Sequence, residues 1–170
     1  AVVSTQSTWG LQTTALTAIK MQPSIILVTG SNRGIGKAIV ESLASRKQDL
    51  IVYAASRKGE DIGVASTSSV QVKPVKLDIN DASSRDALWN SIDSLDVLIN
   101  NAGAQSIGQK QTNEVYMNVL DVNYRSTLKM CQAAIPKLRE GGRIVNMSSV
   151  GCKLENYSKP IQDRFRKAYD

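Results

Sequence analysis

Histidine is absent from all 170 residues. That removes the imidazole of a Ser-His-Asp triad and the commonest nitrogen ligand of zinc, so neither triad chemistry nor a metal site is expected. Cysteine is scarce as well: Cys131 and Cys152 are the two, and their spacing is not CxxC. A disulfide framework is therefore not expected, which favours a reducing compartment and a cytoplasmic location. Aromatic residues make up 5% of the chain, too few for a base-stacking surface. No apolar run approaches the roughly 20 residues that cross a bilayer, so no membrane span is expected. Acids are the minority charge, giving a net charge of +6. The cations are scattered, which fits a solvated surface or a small anionic ligand rather than nucleic acid.

What is present is ordinary for a globular protein, with 42% hydrophobic and 21% charged residues. The length fits one domain. The ends differ from the middle. Residues 1–22 are rich in Ser, Thr, Gln and Ala, hold no acid, and carry Lys20 as their sole charge. The sequence begins with Ala1, and Met21 stands two residues before Pro23. We read Met21 as a natural start with residues 1–20 as an appended leader, and set residues 1–22 apart from the domain as a leader or disordered tail. A mitochondrial presequence is the alternative, opposed by the lack of arginine there. At the other end, Ser158 and Pro160 mark a helix start. Ile161, Phe165, Ala168 and Tyr169 repeat on one helical face, so within residues 151–170 a helix is expected to begin and to be cut short at Asp170.

Between the ends, strands and helices alternate. Ile25–Thr29 is a short continuous apolar run, the mark of a strand covered on both faces. Gly34–Arg46 reads as a helix with Ile35, Ile39 and Leu43 on its apolar face. Leu50–Ala55 and Val70–Leu77 read as strands. Pro74 puts the latter at a sheet edge, because proline cannot donate to a ladder. Asp81–Ile92 reads as a helix capped by Asp81. Leu95–Asn100 reads as a strand, Asn113–Leu138 as a long helix, and Arg143–Ser148 as a fifth strand after Gly141 and Gly142. Strands separated by helices build βαβ units. The expected fold class is α/β, a doubly wound parallel sheet that is incomplete at the C-terminus.

The stretch Thr29-Gly30-Ser31-Asn32-Arg33-Gly34-Ile35-Gly36 lies between the first strand and the first helix. Gly30 permits the turn off the strand, Gly34 leaves room for a pyrophosphate, and Gly36 lets the helix pack closely on the sheet. The helix start offers free N–H groups and the positive end of its dipole to an anion. This loop, with Ser31, Asn32, Arg33 and Ile35 filling it, points to a dinucleotide cofactor and makes residues 23–150 a dinucleotide-binding domain. Charge selects the form. An NAD site sets an acid near the end of the second strand to hold the ribose 2′-hydroxyl. Here the strand runs into Ser56-Arg57-Lys58, and the first acid is Glu60. Arg33 and Arg57 suit a 2′-phosphate, so NADP(H) is expected.

The spacing TGxxxGxG departs from the general GxGxxG fingerprint and resembles the short-chain dehydrogenase/reductase family. Further motifs follow in that family's order. Leu77-Asp78-Ile79 ends the third strand, and the resemblance implies that Asp78 and Ile79 meet the adenine. Asn100-Asn101-Ala102-Gly103 is similar to the family's NNAG, which implies that Asn101, Ala102 and Gly103 steady the sheet and line the cofactor. Asp121-Val122-Asn123 implies Asn123 as a catalytic Asn. Asn146-Met147-Ser148-Ser149 implies Ser149 as the catalytic Ser. The resemblance covers residues 25 to about 150 and implies a Rossmann-type oxidoreductase. The helix from Ser158 resembles the insertion that monomeric carbonyl reductases carry between the catalytic Ser and Tyr. That implies an NADPH-dependent carbonyl reductase with a small carbonyl substrate, and favours a monomer while leaving the oligomeric state open.

In such enzymes a Tyr gives a proton to the developing alkoxide, a Lys lowers that Tyr pKa, the Ser holds the carbonyl oxygen, and the Asn positions a water. Tyr157 is followed four places on by Ile161, and Tyr169 by a single residue, so neither fits YxxxK. Two readings stay open: a carbonyl reductase whose Tyr and Lys are not among these residues, and a non-catalytic nucleotide-binding or partner-binding domain. A methyltransferase using S-adenosylmethionine is a third, opposed by the NNAG and the serine pair.

Overall fold

A computed structural model of the chain describes residues 22–106, 108, 110, 112–149 and 154–169. Residues 1–21 of the expected leader, and Cys152, lie outside the described residues. Five parallel strands form one sheet: β1 (Ser24–Thr29), β2 (Leu50–Ser56), β3 (Val70–Lys76), β4 (Leu95–Asn100) and β5 (Leu138–Asn146). Their order is β3-β2-β1-β4-β5. Helix α1 (Gly34–Ala44) links β1 to β2, and α2 (Ala82–Ser91) links β3 to β4. Between β4 and β5 the chain enters a continuous helical run at Asn113. It comprises α3 (Asn113–Leu120), a π-helical segment (Asp121–Ser126), α4 (Thr127–Ala134) and a 3-10 turn (Ile135–Lys137). Helix α5 (Lys159–Tyr169) follows β5, with Ser158 directly before it as the sequence suggests. The fold is the doubly wound parallel sheet that the strand–helix alternation implies.

The uninterrupted apolar character of β1 is explained by two cores. Leu27 points into one with Leu88, Trp89, Leu98 and Met130. Its neighbours Ile26 and Val28 point into the other with Val40, Val52 and Ile62. A strand with helices over both faces has no polar side, so period-two alternation of polarity disappears. Pro74 lies in the outer strand β3, where a missing N–H costs no ladder bond on the solvent side. Asp81 caps α2 by accepting from the Ser83 N–H at 2.9 Å. The Ser83 hydroxyl and then the Ser83 N–H hold this carboxyl below the ordinary carboxylate range. The cap's contribution is present above the ordinary carboxylate pKa and is lost as pH falls through the lowered folded value. No described helix is long and apolar enough to cross a membrane.

Three elements differ from the sequence reading. Helix α1 buries Gly36, Val40 and Ala44, with Ile39 and Leu43 only partly covered and Ile35 64% exposed. The inward face is the small-residue face, because close packing onto the sheet rewards the absence of side chain at Gly36 over bulk at Ile35. Strand β5 begins at Leu138, not Arg143. Leu138 pairs with Leu95, the pairing slips, and it resumes with Arg143 opposite Val97. Gly141, with φ +75°, lies within this irregularity and supplies the conformation it requires. The long helix holds a π segment over Asp121–Ser126, a local extra residue per turn that helical periodicity does not reveal.

Candidate cofactor site

The candidate cofactor residues follow the C-terminal ends of β1 to β4: the glycine turn after Thr29, Arg57 after Ser56, Asp78 and Ile79 after Lys76, and Asn101 to Gly103 after Asn100. The strands are parallel and nearly flush: Thr29 pairs with Ala55, Ala55 with Val75, Val28 with Ile99, and Ile99 with Val145. Every strand therefore ends on the same side. The chain leaves β1 outward to β2 and β3, then returns to the other flank of β1 as β4. The outgoing connections part company between β1 and β4, and a crevice outside the strand ends at such a reversal is where open α/β sheets take ligands.

The glycine turn lies at this crevice. Gly30 has φ +67°, and a Cβ there would lie 2.9 Å from the Ala102 Cα. A Cβ at Gly36 would collide with the Gly30 carbonyl oxygen and the Asn101 side-chain nitrogen. Gly34, with φ +55°, has nothing within 4 Å of its would-be Cβ. The first and third glycines are thus filled contacts between turn, helix and β4 loop, while the second opens onto space at the start of α1. Arg33 and Ile35 flank that opening and are exposed. Ser31 is buried and turns inward, its hydroxyl donating to the Ala55 carbonyl at 3.0 Å.

Thr29 and Asn101 lock the two loops together. The Thr29 hydroxyl accepts from the N–H groups of Asn101 and Ala102, both at 3.0 Å, and lies 3.4 Å from the Ile99 carbonyl, to which it donates. In return the Asn101 amide donates to the carbonyls of Thr29 at 2.9 Å and Gly30 at 3.1 Å. Thr29 is buried and β-branched, so Thr29→Val keeps its shape and removes only the oxygen. That variant is expected to lose about 1–3 kcal/mol in a denaturant titration, because two backbone donors lose their acceptor. An unchanged midpoint would contradict this role.

The other expected residues are arranged as follows. Asp78 and Ile79 follow β3 in a turn held from two sides. The Ser84 hydroxyl accepts from the Asp78 N–H at 2.9 Å, and the buried Arg85 guanidinium donates to the Ile79 carbonyl at 2.6 Å. The Ser126 hydroxyl of the π segment donates to the Asn80 side-chain oxygen at 2.8 Å. Asn123, in the same π segment, grips Ala104: its oxygen accepts from the Ala104 N–H at 2.8 Å and its nitrogen donates to the Ala104 carbonyl at 2.9 Å. One lone pair and one N–H of that amide are left for other partners. Gly103 packs beside it, its would-be Cβ 3.5 Å from the Asn123 oxygen. Ser149 lies three residues beyond β5.

Two features were not legible in the sequence. Asn100 and Asn146, the last residues of β4 and β5, are register partners, and the Asn100 amide donates to the Asn146 oxygen at 2.9 Å and to the Cys131 sulfur at 3.2 Å. This polar clasp ties α4 to the strand that leads to Ser149. The second feature is a recess of about 180 Å³ beside the glycine turn, lined by Asn32, Ser56, Lys58, Glu60, Asp61 and Ile62. Arg33 and Arg57 stand outside its lining. Among the described residues no cluster of His, Cys, Asp or Glu could hold a metal ion.

The short chain dehydrogenase profile matches residues 24–161 of this sequence. The chain belongs to that family. The family is one of oxidoreductases, and several of the relatives it brings are named reductases. Carbonyl reductase [NADPH] 3 of Rattus norvegicus is 36% identical over 155 residues, covering 84% of this chain and 55% of the relative. The 3-ketodihydrosphingosine reductase of Bacteroides thetaiotaomicron is 37% identical over 140 residues, covering 77% of this chain and 49% of the relative. Among solved structures, the angucycline C-6 ketoreductase LanV with bound NADP superposes with a TM-score of 0.66 at 29% identity, covering 74% of this chain and 55% of that one. The chain spans about half the length of the curated relatives it matches.

Proposed function

We propose that the crevice between the ends of β1 and β4 binds NADP(H), and that the protein uses it to reduce a small carbonyl compound to an alcohol. The observation that carries this reading is the glycine turn. Gly30 and Gly36 are filled contacts, while Gly34 leaves the start of α1 open for a pyrophosphate. The dinucleotide supplies a hydride when bound. The chain's own residues bind, orient and polarise. Backbone N–H groups at the start of α1 would hold the pyrophosphate, and Arg33 and Arg57 would supply positive charge for the 2′-phosphate. Asp78 and Ile79 flank the adenine, and Asn101, Ala102 and Gly103 line the crevice floor. The Ser149 hydroxyl donates to the substrate carbonyl oxygen. Asn123 keeps the 101–104 loop in place and offers its remaining N–H and lone pair to a water.

The names of relatives support this reading: two are called reductases, one of them with NADPH in its name, and one solved neighbour holds NADP. The scarcity of cysteine fits a cytoplasmic location. No residue among the 170 is proposed for the roles of Tyr and Lys. The alternative, nucleotide binding without catalysis, draws on that same fact.

Titrating the chain with NADPH and NADH, followed by nicotinamide fluorescence, tests the reading. NADPH is expected to bind more tightly. Arg57→Ser is expected to weaken NADPH about tenfold and leave NADH unchanged, the scale of one charge-assisted hydrogen bond. Equal affinity for the two cofactors, or tighter NADH, contradicts it.

A further inference from the structure

The turn after β2 is fixed by hydrogen bonds and forms part of the wall of the recess that Asn32 and Ser56 also line. The Gly59 N–H donates to the Ser56 hydroxyl at 3.0 Å and to the Ser56 carbonyl at 3.2 Å. The Leu77 N–H donates to the same carbonyl at 2.7 Å. Gly59 has φ +68°, and a Cβ there would lie 2.8 Å from the Lys76 nitrogen, so the turn is packed against the end of β3. Three residues on, Ile62 is buried in the core with Val28 and Val40. Anchored at both ends, the segment sets Lys58, Glu60 and Asp61 into the recess wall. The two acids are not equivalent. Asp61 is turned back on its own loop, accepting from the Gly63 N–H at 2.9 Å. Glu60 instead pairs with Lys58 at 3.6 Å, both side chains more than two-thirds exposed at 68% and 76%.

This bears on which cofactor the recess accepts, and it rests on the NADP(H) reading above. Besides Arg33 and Arg57, which stand outside the lining, a 2′-phosphate entering beside Asn32 and Ser56 would meet Lys58, already paired, and the Glu60 carboxylate that repels it. A 2′-hydroxyl meets the same carboxylate as a hydrogen-bond acceptor. We propose that Glu60 is a specificity-determining residue that works against the 2′-phosphate: it occupies Lys58 and holds the preference for NADPH over NADH below what Arg33, Arg57 and Lys58 together could give. Glu60 acts on Lys58 across solvent, so its effect is that of one exposed charge pair and shrinks with salt.

Isothermal titration of the chain with NADPH and NADH, for the unmodified protein, Glu60→Gln, Lys58→Gln and the double variant, tests this. Glu60→Gln is expected to tighten NADPH about threefold, with NADH unchanged or weaker, and the gain should fade at high ionic strength. In the Lys58→Gln background most of that gain should vanish, because the freed partner is gone. An unchanged NADPH-to-NADH ratio in Glu60→Gln overturns the proposal while leaving the cofactor reading standing. Weaker NADPH binding in that variant also overturns it, since Glu60 would then be orienting Lys58 towards the phosphate. A preference of the unmodified chain for NADH overturns both.

Discussion

Gly36→Val is expected to weaken NADPH binding by about 100-fold or more, or to unfold the turn outright. The new Cβ would enter the space of the Gly30 carbonyl oxygen and the Asn101 amide, and would lie 2.9 Å from the Gly30 carbonyl carbon. Two of these are backbone atoms, which cannot rotate away as a flexible side chain could. Overpacking of this kind costs about 1–3 kcal/mol where only side chains must yield, and more where backbone must move. Either α1 lifts from the sheet or the Gly30 turn shifts. Each outcome displaces the N–H groups at the start of α1, and each breaks the bonds from Asn101 to Thr29 and Gly30. A fluorescence titration beside a thermal melt separates the outcomes. Lost affinity with a cooperative melt means a displaced turn, and a lowered midpoint means a lifted helix. Unaltered affinity and melting together would contradict the packing role of Gly36. Gly34→Ala provides the contrast, since no atom waits within 4 Å of its Cβ and the expected cost arises from φ +55° alone.

A polypeptide of residues 1–170 is expected to bind NADPH and yet leave an aldehyde or quinone unreduced above the solvent control. Hydride arrival at a carbonyl carbon leaves an alkoxide that needs a proton in the transition state. A positioned general acid is worth about 10²–10⁴-fold. Tyr157 has Ile161 where the family's Lys stands, and no other residue here is matched to the acid. Ser149 can donate a hydrogen bond, but its hydroxyl is too weak an acid to serve alone at neutral pH. Monitoring NADPH absorbance with and without substrate checks this. Cofactor consumption matched by alcohol formation would show that another residue of this chain supplies the proton.

The sheet was legible because its signals are local. A buried parallel strand has to be apolar throughout, as at β1, and Pro74 can only lie where its missing N–H is not needed. The glycine turn was legible because each glycine answers a separate steric demand within eight residues. Other features depend on partners far along the chain. The inward face of α1 could not be read from apolar spacing, since it is chosen by the contact of Gly36 with Asn101, 65 residues away. The early start of β5 at Leu138 depends on its pairing with Leu95, which outweighs the turn signal of Gly141 and Gly142. The clasp of Asn100, Asn146 and Cys131 joins three elements with no sequence pattern in common. Glu60 was noted only as the first acid after β2. Its place in the recess follows from the anchoring of Gly59 and Ile62, which no charge pattern announces.

Amide hydrogen exchange with and without NADPH locates the bound cofactor along the chain. Protection is expected in the turn and first helical residues, 31–37, and in the facing loop 101–104, with little change at the opposite end of the sheet around Ser24 and Leu95. Protection confined to other segments, or none at saturating NADPH, would contradict a cofactor site at the glycine turn.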